Sequence, residues 1–384
     1  MDSSLWTGRP RPLEDELLSS WLIRIAAMNG VKLHTFSQQM WPHQSIWNRD
    51  IDGFAPETVL RVASDCTGVP LERVRETTLG AFSGAVFEHH QPRGLTPWIL
   101  PLGIYHRTRL RHGNQCCPRC LAESPYYRRT WRLAFATICV VHRVPLLDRC
   151  PECGEAIAFH RREIGDRSAF DASLLVGCHA CGRNFRKETP RRIAANARIV
   201  GFQSRLEAVA LTGAADVGGV SVFGNLFFSG LRILVRLCAS PRYGESLQAE
   251  LSRRAGIASF RPDWVNGNWV FENLGVDDRR GLLTFASVLL EDWPHRFLEV
   301  ARRVGIRGSD VGGHDRWVPY WIASVVDREL NGKRHVPSVA EITSVIDHLR
   351  KSGEEPTRES VGRYIGVEWF RKRSLSYLLE PMSR

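Results

Sequence analysis

Cys117-Pro118-Arg119-Cys120, Cys139-Val140-Val141-His142, Cys150-Pro151-Glu152-Cys153 and Cys178-His179-Ala180-Cys181 follow one another in the chain, with 18, 7 and 24 residues between them. In each, two ligand side chains three residues apart can converge on one ion. Two such turns complete a tetrahedron, the arrangement zinc takes with thiolate and imidazole. The spacing therefore predicts two closed sites and two Zn2+ per chain. One site has three cysteines and a histidine, the other four cysteines. Joining neighbouring turns is the simplest pairing, and a cross-brace of alternating turns obeys the same spacing logic. Closed sites leave no position for a reacting water, so the expected role is structural. Cys116 stands beside Cys117 and could compete with it, but the proline-containing turn favours Cys117. His179, inside a turn, is expected at the surface, and the isolated Cys66 and Cys238 as buried apolar side chains.

Between the first two turns, Trp131, Phe135 and Ile138 fall on one helical face, with Arg128, Arg129 and Arg132 off it. Such a helix could touch phosphate, or present a solvated face over a small core. The chain carries 52 basic and 41 acidic residues, a net of +11. Residues 101–195 hold 17 Arg and Lys against 8 Asp and Glu, so +9 of the excess sits with the cysteines. A polyanionic partner is the expectation.

On the N-terminal side, Leu17, Leu18, Trp21, Leu22 and Ile25 recur at helical spacing and end at Asn29-Gly30. Leu33, Phe36 and Met40 make a second stripe. The pattern repeats at Val59, Leu60 and Ala63, then Gly68 and Pro70, then Leu71 and Val74. Helix, glycine turn, helix is the outline of a helix-turn-helix. Residues 80–115 lose this period and read as a connector. Beyond the cysteines, 193–330 is again helical, with breaks at Gly218-Gly219 and Gly312-Gly313 and a hairpin or tight turn at Asn266-Gly267-Asn268. Near the end, Ser338-Val339-Ala340-Glu341 fits a capping box, and Thr357 can cap a further helix. After Gly366-Val367, Trp369 and Phe370 read as inward, with Arg371, Lys372 and Arg373 as a basic, nucleic-acid-facing cluster.

The expected fold is mainly α and multidomain. It has an N-terminal helix-turn-helix-like domain (1–100), a tandem zinc-binding module (101–195), a helical domain (196–330) and a C-terminal helix-turn-helix-like domain (331–384). No run of about 18 uncharged apolar residues predicts a membrane span. Met1-Asp2-Ser3-Ser4 lacks the opening of a secretory signal. A cytoplasmic, reducing compartment follows, with thiols and metal ligands rather than disulfides. No GxxxxGK[ST], HExxH, GxSxG or GxGxxG marks a catalytic centre, so the expectation is a protein that is not an enzyme.

The block from Cys116 to Cys120, Trp131-Arg132, Cys139 to His142 with the tail Arg143-Val144-Pro145-Leu146-Leu147, and Cys150 to Gly154 resembles the TniQ family. So does the opening, Pro10-Arg11-Pro12 through Glu16, then Ser19 to Ala26 and Asn29-Gly30. The likeness covers about the first half of the chain. It implies target selection for Tn7-like and related transposons. Members bind a selector or target DNA and recruit an AAA+ ATPase regulator, which in turn brings in the transposase. Some sit as dimers on a Cascade-type RNA-guided complex; others read an attachment site directly. The resemblance implies the eight ligands named above, an AAA+ partner, target DNA or such a complex, and an option of homodimerisation. Arg24, on the polar flank of the first stripe beside Glu14 and Asp15, is the expected partner-binding residue. The reading from another class is a zinc-containing, DNA-binding transcription regulator.

Overall fold

The computed structural model describes residues 5–91, 94–105, 108–162, 172–194, 197–257, 270–312, 317–330 and 337–365. The sequence readings at Asn266-Gly267-Asn268, Gly313 and Gly366 to Arg373 lie outside the described residues. The described chain is mainly helical, and it divides into two compact units.

The first unit comprises residues 1–208 and 266–281. Its opening helix, α1 (Leu18–Met28), buries Leu18, Trp21, Leu22 and Ile25, the stripe the period predicts. The helix stops where Asn29 Nδ2 donates to the Ile25 carbonyl and Gly30 takes a left-handed φ of 64°. α2 (Leu33–Met40) follows. α3 (Glu57–Thr67) ends on Gly68 at φ 72°, and α4 (Leu71–Arg75) packs back against it. Both expected helical pairs therefore form.

Residues 80–115 correct the sequence reading. They are not merely a connector, because Trp98 and Leu100 are each 1% exposed in the core. The Trp98 amide donates to Glu272 (2.7 Å), its carbonyl accepts from Ala134 (2.7 Å), and the Leu100 amide donates to the Arg132 carbonyl (2.9 Å). Irregular backbone can be buried when distant segments satisfy it, and such pairing leaves no period to read. A short hairpin, β1 (Ile104–Tyr105) with β2 (Thr108–Arg109), leads to α5 (Pro118–Glu123).

Segments 1–100 and 101–195 share one core. Leu17 donates to the Tyr127 carbonyl (2.9 Å), Tyr127 to Ser20 Oγ (3.0 Å) and Arg129 to the Asp15 carbonyl (2.7 Å). The hairpin of β3 (Ile138–Cys139) and β4 (Val144–Pro145) comes next, and α6 (Arg198–Thr212) leads out of the unit.

The second unit comprises residues 209–265 and 282–384. Gly218 and Gly219, both at positive φ, join β5 (Ala214–Val217) to β6 (Val220–Phe223) as a two-residue hairpin. α7 (Gly224–Cys238) buries Phe227, Phe228, Leu231, Leu234 and Val235. α8 (Gly244–Ala255) follows. After the crossing helix α9 (Val276–Leu290) come α10 (His295–Val304), α11 (Gly308–Gly312) and α12 (Tyr320–Glu329). Trp321 of α12 lies against Gly230 of α7, and its Nε1 donates to the Leu226 carbonyl (3.1 Å). α13 (Val339–Lys351) starts with the predicted capping box: Ser338 Oγ accepts from the Glu341 amide, and Glu341 accepts from the Ser338 amide. α14 (Arg358–Ile365) starts at Thr357, whose hydroxyl accepts from the Ser360 amide. Ile342, Ile346, Leu349, Val361 and Ile365 close a small core between these two helices.

Candidate metal centres

The proline turn of Cys117-Pro118-Arg119-Cys120 opens α5, with Pro118 in the first helical turn, where its missing amide costs nothing. The second turn is the tip of the β3–β4 hairpin. There Arg143, at φ 54°, donates its amide to the Cys139 carbonyl (2.7 Å). Glycines take the same place after the third and fourth turns. Gly154 (φ 74°) donates to Cys150 (2.9 Å) and Gly182 (φ 76°) to Cys178 (3.1 Å). Three of the four turns are thus one structure, in which the chain reverses so that two ligand side chains point the same way.

Cys117, Cys120, Cys139 and His142 gather into one cluster, and Cys150, Cys153, Cys178 and Cys181 into the other. Neighbouring turns pair, which decides against the cross-brace. In the first cluster Cys120 and Cys139 Sγ are 3.6 Å apart, and His142 Nδ1 is 3.6, 3.3 and 3.6 Å from Cys117, Cys120 and Cys139. In the second, the Cys150–Cys181 and Cys153–Cys178 sulfurs are each 3.6 Å apart. A disulfide would require about 2.05 Å. Tetrahedral bonds of about 2.3 Å to sulfur and about 2.0–2.1 Å to nitrogen set ligand edges of roughly 3.5–3.8 Å. Both clusters have the dimensions of such a site.

The proton inventory points the same way. Left to themselves, the thiols of the first cluster cannot all ionise. Hydrogen bonds from Cys117 and Cys120 pull Cys139 down to about 2, while the same network pushes Cys120 far up. All three could ionise together only around a cation. His142 is prepared as the fourth ligand: its Nε2–H donates to Glu123 Oε1 (2.8 Å), which turns the Nδ1 lone pair toward the sulfurs. Glu123 was absent from the sequence reading. Its signal was its place three residues after Cys120, one turn along α5.

Cys116 is fully buried and pairs its backbone with Leu147, outside both clusters. Burial drives its thiol far above the ordinary range. His179 is half-buried and joins neither cluster. Cys238 is buried as expected, whereas Cys66 is only half-buried.

The arginines between the first two turns require correction. Residues 130–132 form a single 3-10 turn rather than a helix face. Arg132 is 1% exposed and binds Asp50 through both terminal nitrogens (2.5 and 3.2 Å) and the Leu100 carbonyl (2.9 Å), so phosphate cannot reach it. Arg129 turns inward to Asp15 (3.3 Å). Arg128 lies over the rings of Tyr126 and Trp131, half-buried. Arg24 is likewise engaged: it pairs at 2.6 Å with Glu16, a fully buried carboxylate that burial pushes up. Asp15 accepts from the Thr130 amide and hydroxyl. Of the polar flank expected to meet a partner, only Glu14 is exposed and outside this network.

Unpaired cations sit elsewhere, around the clusters. Arg119, Arg143, Arg186, Lys187, Arg191 and Arg192 form no ion pair with a described carboxylate, and the last four are exposed. Ile193 donates to the Arg143 carbonyl (2.7 Å), Arg192 Nε to the His142 carbonyl (3.3 Å), and α5 packs beside Phe185–Lys187. One basic surface therefore spans both clusters.

The ordered ligands and the buried opening helix meet in a sequence match: residues 7–146 fit the TniQ family model. The chain carries a TniQ domain. The domain holds the first metal cluster entire and stops before the second, which the chain adds directly behind it. TniQ domains belong to transposition target-selection adaptors that are generally not catalysts. No curated protein matches the chain. No helix among the described residues is long and apolar enough to cross a membrane.

Proposed function

We propose that this protein is a non-catalytic target-selection adaptor that links target DNA, or an RNA-guided complex on that DNA, to an AAA+ transposition regulator. The observation that carries this reading is the TniQ domain over residues 7–146. Two zinc ions hold the two clusters, since ligand sets of this kind and these dimensions suit zinc and leave no open coordination position. The metal supplies folding free energy where the described residues between 116 and 192 form only short elements. It also fixes the spacing of the basic surface. That surface, rather than Arg128, Arg129 and Arg132, is the one that meets phosphate. A reducing, cytoplasmic setting keeps the thiols available for the metal. The test is co-purification from cells carrying the native operon, with bound protein and nucleic acid identified. Recovery of the AAA+ regulator supports the adaptor; its absence from a well-folded, zinc-loaded preparation overturns it.

A further inference from the structure

The chain has ten cysteines, and only Cys153 and Cys181 are exposed. Both belong to the second cluster. In the first, Cys117, Cys120 and Cys139 are at most 4% exposed, and His142 is covered in part by Glu123. The two clusters therefore differ in access although their dimensions agree. They differ in arrangement as well. Each turn of the second cluster contributes one exposed and one buried cysteine. Each exposed sulfur stands 3.6 Å from the buried one of the opposite turn, Cys181 from Cys150 and Cys153 from Cys178. In the first cluster the 3.6 Å pair, Cys120 and Cys139, is buried on both sides, and the imidazole in fourth place can form no disulfide. Thiol oxidation follows access, so an oxidant meets Cys153 and Cys181 first. The fourth turn also leads into part of the basic surface. After Gly182, Arg183 donates to Glu188 (2.6 Å) and stands 3.7 Å from Glu152 of the third turn. The exposed Arg186 and Lys187 come next. Residues 182–192 contain no regular element longer than the three-residue turn Phe185–Lys187. The ligands Cys178 and Cys181, with the buried Phe185, hold this arm in place.

We propose that the second cluster is an oxidative modification site, at which peroxide joins an exposed cysteine to the buried cysteine of the opposite turn and the zinc leaves, while the first cluster keeps its own. The thiolate of Cys181 or Cys153 attacks one peroxide oxygen, the O–O bond breaks, and a sulfenic acid and hydroxide result. The buried thiolate 3.6 Å away then attacks that sulfur and displaces a second hydroxide, forming the S–S bond. Two electrons pass from the two sulfurs to the peroxide, and two protons from solvent turn the hydroxides into water. Two ligands of four remain, too few for a closed tetrahedral site. A dithiol reverses the bond. Loss of the metal frees the arm that carries Arg186 and Lys187. The inference rests on the reading that the cluster holds zinc. Its bearing on nucleic acid rests further on the adaptor reading, whereas metal release does not depend on it.

The experiment uses the full zinc-loaded chain, with its metal content measured first. Hydrogen peroxide is added in excess, and zinc released above the untreated control is followed with a chromophoric chelator. The cysteines are then mapped by alkylation and mass spectrometry. One zinc of two should leave at least about tenfold faster than the other, since access governs thiol oxidation. The map should join Cys150 to Cys181 or Cys153 to Cys178 and leave Cys117, Cys120 and Cys139 as free thiols. Trypsin should then cut after Arg186 and Lys187 faster than in the untreated chain. A dithiol with added zinc should restore both the metal and the slower cutting. Release of both ions at one rate, earlier loss from the first cluster, or release with the thiols of the second cluster still free overturns the proposal. So does unchanged cleavage, or failure of the dithiol and zinc to restore the site. A preparation that holds fewer than two zinc ions before peroxide is added overturns the zinc reading and the proposal with it. None of these measurements involves the AAA+ regulator, so failure of the adaptor reading shows separately, in the co-purification.

Discussion

Glu123 shows how one side chain can prepare a ligand cluster it does not join. Its carboxylate fixes the His142 tautomer, and losing such a contact typically weakens metal binding 10- to 100-fold. Glu123→Gln should lower zinc affinity by about that factor at one site of two, measured by competition with a chromophoric chelator; unchanged affinity would deny the carboxylate this role. Asp52 allows a second test. It is buried beside Asp50 and accepts from the Ser19 amide (2.8 Å) and hydroxyl (2.7 Å). Burial, then the Asp50 charge, pushes its carboxyl from 3.8 up to about 6. A carboxyl raised on folding contributes stability that is complete below about pH 3.8 and lost as pH rises through about 6. Asp52→Asn lacks that contribution. The melting temperature of the parent minus that of the variant should therefore fall between pH 5 and pH 7, with metal loss cancelling in the difference. A constant difference would contradict the assignment. The arginines explain why charge was the least legible part of the sequence. Arg132 and Arg24 look like surface cations, yet each neutralises a carboxylate brought from 82 and 8 residues away, and nothing local announces that pairing.

Elements were read more easily than partners. The metal turns declare themselves because the ligands are fixed by spacing, and the capping box at Ser338 because both its residues lie within one turn. The 80–115 segment did not, since its hydrogen bonds end on residues 132, 134 and 272. The β5–β6 hairpin was visible only as a Gly-Gly break; the alternation around it is four residues to a side. Close helix approach is also recorded in sequence by a single residue. A Cβ on Gly230 of α7 would stand 2.2 Å from Trp321 Cζ2 and 2.9 Å from Ile322 Cδ1. Trp321 cannot withdraw easily, being packed against Phe227 and Trp293 and hydrogen-bonded to Leu226. Gly230→Ala should destabilise by about 2–3 kcal/mol, as overpacking does, lowering the melting midpoint by roughly 5–10 °C. A midpoint within about 1 °C of the parent would mean that α7 and α12 stand further apart.

For the molecule as a whole, the chain combines a TniQ domain, a second metal cluster directly behind it and a further helical unit. The proposed function rests on the domain match and not on any reactive group. An adaptor of this kind is tested most directly by transposition in cells from which only this gene is removed. Insertion at the normal target should fall to background and return with the parent gene. It should not return with Cys120→Ser, which removes one of the four ligands of the first cluster. Insertion at the parental frequency and the parental target without the gene would contradict the account.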